Sequence, residues 1–224
     1  MLTVLTQRSL KLGALGVVRL RRALLGSKLP PPTIYYFAYG ANLDPKRFEK
    51  YGMNATPIGP ARLDNYTLKF TLPCEYVGKG YASIEPDGGK AVWGFLYQLD
   101  RYAFLLLEAM EYVFLNHYRK INVDVETKEG ARVTAIALQT GFPTEGLLPS
   151  TEYKNMILSA ARQHGFPTEY ISAIEQFESK TSFPLDHGFS LAIPSRRRFC
   201  EKKLRSLYLI HDKVREYLCE FLRF

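Results

Sequence analysis

The chain has 224 residues, 46% hydrophobic and 13% aromatic, with a formal net charge of +8, so it is long enough to bury a core without covalent staples. Of that +8, residues 1–30 carry +6 and residues 195–224 carry +5, which leaves −3 for the middle; the basic character belongs to the ends, and a nucleic-acid-binding core is disfavoured. Cys74, Cys200 and Cys219 are odd in number and far apart, which argues against a disulfide framework or a zinc site and fits a reducing, cytoplasmic setting.

Residues 1–30 mix Leu and Val with Arg and Lys and contain no acid. Their longest apolar run, Leu12 to Val18, is too short to span a bilayer. An organellar presequence, an amphipathic helix on an anionic membrane surface and a disordered basic tail all fit this segment. Pro30-Pro31-Pro32 stops any helix and forms a stiff spacer. Residues 1–32 are therefore set apart as an extension, and the domain is expected over 33–180.

The domain opens on Ile34 to Ala38, an apolar and aromatic run with the composition of a short buried strand. It stops in Tyr39-Gly40-Ala41-Asn42, where Gly40 has no Cβ to block an approaching ligand and successive amides can converge on an anion. An ordinary strand-to-turn junction has the same composition. Further strands are expected at Tyr66 to Phe70, Tyr81 to Glu85 and Ala91 to Leu99. The last two read as a hairpin closed by Pro86-Asp87-Gly88-Gly89. Tyr102 to Glu111 is a helix-favouring apolar stretch with Glu108 and Glu111 near one face. Tyr118 to Glu126 and Arg132 to Gln139 are strands joined by Lys128-Glu129-Gly130. Pro149-Ser150-Thr151-Glu152 opens a helix with Ser150 or Thr151 at the cap, running to about His164 and ended by Gly165, and a short helix follows Pro167-Thr168. Residues 181–224 are expected to form a loop and a basic amphipathic helix whose stripe is Leu204, Leu207, Ile210, Val214, Leu218 and Phe221.

No P-loop, dinucleotide-binding, nucleophile-elbow or zinc-protease motif is present. His117, His164, His187 and His211 are scattered, so no metal site and no cofactor are expected. Glu111 is the best proton-transfer candidate, because Phe104 to Leu107 precede it and Tyr112, Val113 and Phe114 follow it, which desolvates the carboxyl in part. Glu108 is the alternative on the same helix.

Tyr36-Phe37-Ala38-Tyr39-Gly40-Ala41-Asn42-Leu43 resembles the Y-F-A-Y-G-S-N-L signature of the gamma-glutamylcyclotransferase-like family. Gly59 to Leu63, Gly80 to Ile84, Val92-Trp93-Gly94, Leu107 to Glu111, Tyr118-Arg119 and Gly165 to Tyr170 are similar to further segments of that family, in the same order. The resemblance spans roughly residues 34–178. It implies an α+β, β-rich fold: a small, mostly antiparallel β-barrel with peripheral helices. It also implies cyclisation of a small-molecule gamma-glutamyl amine or amino acid to 5-oxoproline and a free amine, as in glutathione metabolism. Glu111 is then the acid/base, and Tyr36, Tyr39, Gly40, Ala41, Asn42, Leu43 and Tyr118 contact the substrate. Ala41 stands for a frequent Ser, Tyr112 for the usual Gly after the glutamate, and Leu138 for a Tyr of some members. The alternative is a catalytically degenerate binding or membrane-surface protein of the same fold, with the basic termini touching anionic membrane.

Overall fold

The computed structural model describes residues 33–73 and 78–181, together with Gly13 and Gly16. The expectations for the basic ends otherwise lie outside the described residues. Five strands close into a barrel in the order β1-β3-β2-β4-β5, where β1 is Ile34–Ala38, β2 Ala55–Pro73, β3 Gly80–Leu99, β4 Tyr118–Thr127 and β5 Arg132–Thr140. Neighbours are antiparallel except where β1 meets β5 in parallel at Tyr36 and Ile136. The expected β-rich barrel is therefore the fold, and closure leaves β1 no free edge.

The expected hairpin within residues 81–99 does not form. β3 is continuous through Pro86-Asp87-Gly88-Gly89, because β2 is long enough to pair with both arms in succession, from Ala55 opposite Leu99 to Pro73 opposite Gly80. The surplus residues of β3 are taken up as a bulge between the Asp64–Ala91 and Tyr66–Pro86 pairs. Asn65, at φ 61°, accepts there from the Gly89 amide at 3.3 Å. A Gly-Gly pair thus bends a strand here instead of reversing it.

Among the described residues, the helices α1 Lys46–Lys50, α2 Arg101–Met110, α3 Thr151–Gln163 and α4 Thr168–Glu175 lie outside the barrel. Asp100 caps α2 by accepting from the Ala103 amide at 2.7 Å, and Ser150 caps α3 by accepting from the Tyr153 amide at 3.1 Å. Gly165 follows α3 at φ 66°, the left-handed residue that ends a helix. Phe37, Ile84, Val92, Leu96, Tyr97, Leu99 and Leu107 are essentially excluded from solvent. β1 lies so close to β3 that a Cβ on Gly94 would come within 2.4 Å of the Ala38 carbonyl oxygen. This tight seam fixes where β1 ends, and so where its turn opens.

Candidate active site

β1 runs out at Ala38, and Ala41–Leu43 form a single 3-10 turn. Tyr36, Tyr39, Gly40, Ala41 and Asn42 line a pocket with Ala82, Glu111, Tyr118, Leu138 and Tyr153. The pocket is small and partly open to solvent. The close fit at Gly40 is explicit: a Cβ there would lie 3.2 Å from both the Ala82 Cβ and the Tyr153 hydroxyl.

Glu111 reaches this pocket from the C-terminal cap of α2, at φ −90° and ψ 10°. Asn42 Nδ2 donates to its Oε1 at 3.0 Å and to the Tyr36 hydroxyl at 3.1 Å. Glu108 goes elsewhere. It is only 3% exposed and its carboxylate lies 2.6 Å from Lys120 Nζ on β4, so the alternative proton-transfer residue is occupied in an ion pair.

Tyr112, the next residue, adopts φ 52° and ψ 40°. That is the left-handed conformation a helix needs just beyond its cap, usually supplied by Gly. A tyrosine here keeps the glycine geometry at a cost of about 1–2 kcal/mol. Its ring lies 5.3 Å from the His117 ring and 6.1 Å from the Phe114 ring, and these contacts offset part of the strain. The carboxyl of Glu111 therefore points into the pocket despite the substitution.

The tyrosines divide into two kinds. Tyr39 donates its hydroxyl proton to the Leu138 carbonyl and Tyr118 donates to the Ala82 carbonyl at 2.7 Å; both protons are committed to holding the wall. Tyr36 instead accepts from Asn42, and Tyr153 accepts from the Ala82 amide at 3.3 Å. A phenol that accepts keeps a proton to donate. Burial, reinforced by the negative Glu111, pushes Tyr153 up to about 12 and Tyr36 well above the ordinary phenol range, so both remain protonated donors at neutral pH.

Leu43, expected at the substrate, does not line the pocket. Its carbonyl accepts from Tyr97 at 3.1 Å and faces His164 Nε2 at 2.7 Å, so it anchors the turn from behind. Tyr153, Ala82 and Leu138 are lining residues beyond those expected as contacts, although Tyr153 opens the helix that the sequence placed there. Among the described residues, no group of three or more His, Cys, Asp or Glu is placed to hold a metal ion.

The AIG2-like family pattern matches residues 91–174. A gamma-glutamylcyclotransferase from Mus musculus is 33% identical over 159 residues, covering 66% of this chain and 82% of that protein. The Bos taurus gamma-glutamylcyclotransferase is 32% identical over 148 residues, covering 64% of this chain and 78% of that one. The chain belongs to the gamma-glutamylcyclotransferase family. A solved gamma-glutamyl cyclotransferase structure agrees, with a TM-score of 0.61 at 25% identity over 83% of this chain and 99% of that one. This gamma-glutamylcyclotransferase family member is thus an enzyme of that type, and its turn, glutamate and closing tyrosine meet in one pocket.

Proposed function

We propose that the enzyme converts a gamma-glutamyl amine or gamma-glutamyl amino acid into 5-oxoproline and the free amine, with Glu111 moving the proton. The single observation that carries this reading is that Glu111 and the Gly40–Asn42 turn share one small pocket. The α-ammonium of the substrate gives a proton to Glu111, and the freed amine attacks its own γ-carbonyl carbon. The carbonyl becomes a tetrahedral oxyanion. As it collapses, the bond to the departing nitrogen breaks and Glu111 returns the proton to that nitrogen, then relays the second proton lost by the attacking nitrogen. The lactam N–H of 5-oxoproline is left, the amine departs as an ammonium, and base and acid are one residue.

The remaining groups have work suited to their hydrogen-bond state. The hydroxyl protons of Tyr36 and Tyr153 are directed to the α-carboxylate or the developing oxyanion, which are the acceptors such a substrate brings. Gly40 and Ala41 let the folded-back glutamyl backbone lie against the turn. Holding that conformation supplies most of the acceleration, since the reaction is intramolecular. Leu138, in place of a tyrosine, makes one wall apolar and bears on which amine is released.

Incubation with a panel of gamma-glutamyl dipeptides, isopeptides and simple amides tests the reading. It predicts 5-oxoproline and free amine from at least one class; none from any would contradict it. The +6 and +5 ends suit peripheral contact with anionic membrane, as a second and independent proposal. Sedimentation with anionic vesicles, lost on removing residues 1–30 and 195–224, supports that contact, and sedimentation unchanged by the removal contradicts it.

A further inference from the structure

Asn42 sits between two groups that decide which way its amide faces. Arg47 Nε, from α1, lies 3.1 Å from Asn42 Oδ1. A guanidinium has no acceptor, so only the amide oxygen can face it. The amide nitrogen is thereby turned toward Glu111 Oε1 and Tyr36, where both of its protons find acceptors. In the reversed orientation, Asn42 Oδ1 would meet a carboxylate oxygen and the amide nitrogen would meet Arg47, two repulsive contacts in a half-buried site.

The groups around the Glu111 carboxyl come from several elements. Tyr36 and Tyr39 are at the end of β1, Asn42 is in the turn, Tyr118 is on β4 and Tyr153 is on α3. Behind Asn42 stands Arg47 on α1, the cation whose charge reaches the Tyr36 and Tyr153 hydroxyls. Arg47 itself is not among the residues lining the pocket; its hydrogen bond toward the site is the one to Asn42.

We propose that Arg47 is a positioning residue that locks the Asn42 amide, so that Glu111 Oε1 is held by Asn42 and its second oxygen is the one that carries the proton. The proposal rests on the cyclotransferase reading for its catalytic meaning, while the lock itself is a property of the resting protein. A carboxyl with one oxygen tied down can present the other in a fixed direction. It can take a proton from the ammonium and give it to the departing nitrogen without rotating. Asn42 donates to Oε1 in both protonation states, more strongly to the ionised carboxylate, and leaves Oε2 to carry the proton. Losing Arg47 frees the amide to flip when Glu111 is protonated, and both oxygens then compete for the proton.

The test has one readout independent of turnover and one that depends on it. The first is the midpoint of the Glu111 carboxyl titration, followed by 13C NMR in the full chain. Removing a donor that favours the ionised form moves such a midpoint upward; in Arg47→Met it is expected to rise by about one unit. In an Asn42→Ala background Arg47→Met should add little, because two residues acting in series are not additive. Arg47→Lys, which keeps a donor and the charge, should restore most of the wild-type value, and serves if the Asn42 variant does not fold.

The second readout is kinetic. Arg47→Met is expected to lower kcat about tenfold with KM changed less than about threefold, and to move the acid limb of the profile to higher pH. An unchanged midpoint in Arg47→Met overturns the proposal. So does an equal shift with and without Asn42, which would mean that Arg47 acts directly. A rise in KM alone also overturns it, because Arg47 would then be binding substrate. If the wild type yields no 5-oxoproline, the cyclotransferase reading fails while the NMR titration still decides the lock.

Discussion

The Asn42 amide lies 3.0 Å from the Glu111 carboxylate oxygen, and this one hydrogen bond joins the signature turn to the end of α2. It makes the two halves of the site depend on each other. Asn42→Ala removes a charge-assisted bond and leaves Arg47 and Tyr36 without a partner, which should cost about 1–3 kcal/mol of stability. Asn42→Asp places a like charge beside Glu111 and should shift the acid limb of activity upward while leaving the turn folded. Urea unfolding and a pH profile separate the two effects.

Tyr112 offers a test of whether backbone shape or side-chain identity matters beside the glutamate. Tyr112→Gly relieves left-handed strain but gives up the contacts with His117 and Phe114 and loosens the unfolded chain, so stability should stay within about 1 kcal/mol of wild type. Activity should be retained. Tyr112→Val puts a β-branched residue at φ 52°, and is expected to lose about 2 kcal/mol or more and, by re-aiming Glu111, most of kcat. Equal activity in the valine variant would show that Glu111 does not depend on this conformation.

Buried phenols give the protein an alkaline limit. Burial raises Tyr36, Tyr39, Tyr97, Tyr118 and Tyr170 above the ordinary value, and Tyr153 to about 12. The folded state therefore holds protons that the unfolded state has released above pH 10, the ordinary phenol value. Stability from these groups is full below that pH and falls as pH rises, by about 1.4 kcal/mol per unit for each phenol in its window. Urea midpoints should be flat in this respect from pH 7 to 9 and drop steeply above 10; a constant midpoint to pH 12 would contradict the hydrogen-bonded tyrosine wall.

Much of this architecture was legible in the sequence because it is written locally. The strand ending at Ala38, the Ser150 cap, the Gly165 stop and the Lys128-Glu129-Gly130 reversal each carry their signal within a few residues. The long β2–β3 pair was not, since Pro86 to Gly89 has turn chemistry and only the partner strand decides whether it reverses or bulges. Glu108 and Glu111 could not be separated by helical spacing; α2 ends at Met110, and that single fact sends their carboxyls to different places. Arg47 had no signature at all. An arginine on a short helix is usually a solvated charge, and its link to Asn42 exists only once the turn has folded.

The departure at Tyr112 was the strongest sequence argument for a degenerate site. Its left-handed backbone supplies the glycine conformation, so the substitution leaves the position of Glu111 intact. Ala41 keeps the backbone of the turn and lines the pocket. Leu138 lines the pocket too, and differences in the released amine should trace to it.

The central claim is that Glu111 transfers the proton, and Glu111→Gln addresses it with the least disturbance of shape. The glutamine amide can occupy the same volume, but it cannot take a proton from an ammonium group. With the best gamma-glutamyl substrate, kcat for 5-oxoproline formation should fall by about 10²–10⁴-fold, with KM much less affected and thermal unfolding within a few degrees of wild type. Wild-type kcat in Glu111→Gln would contradict the account.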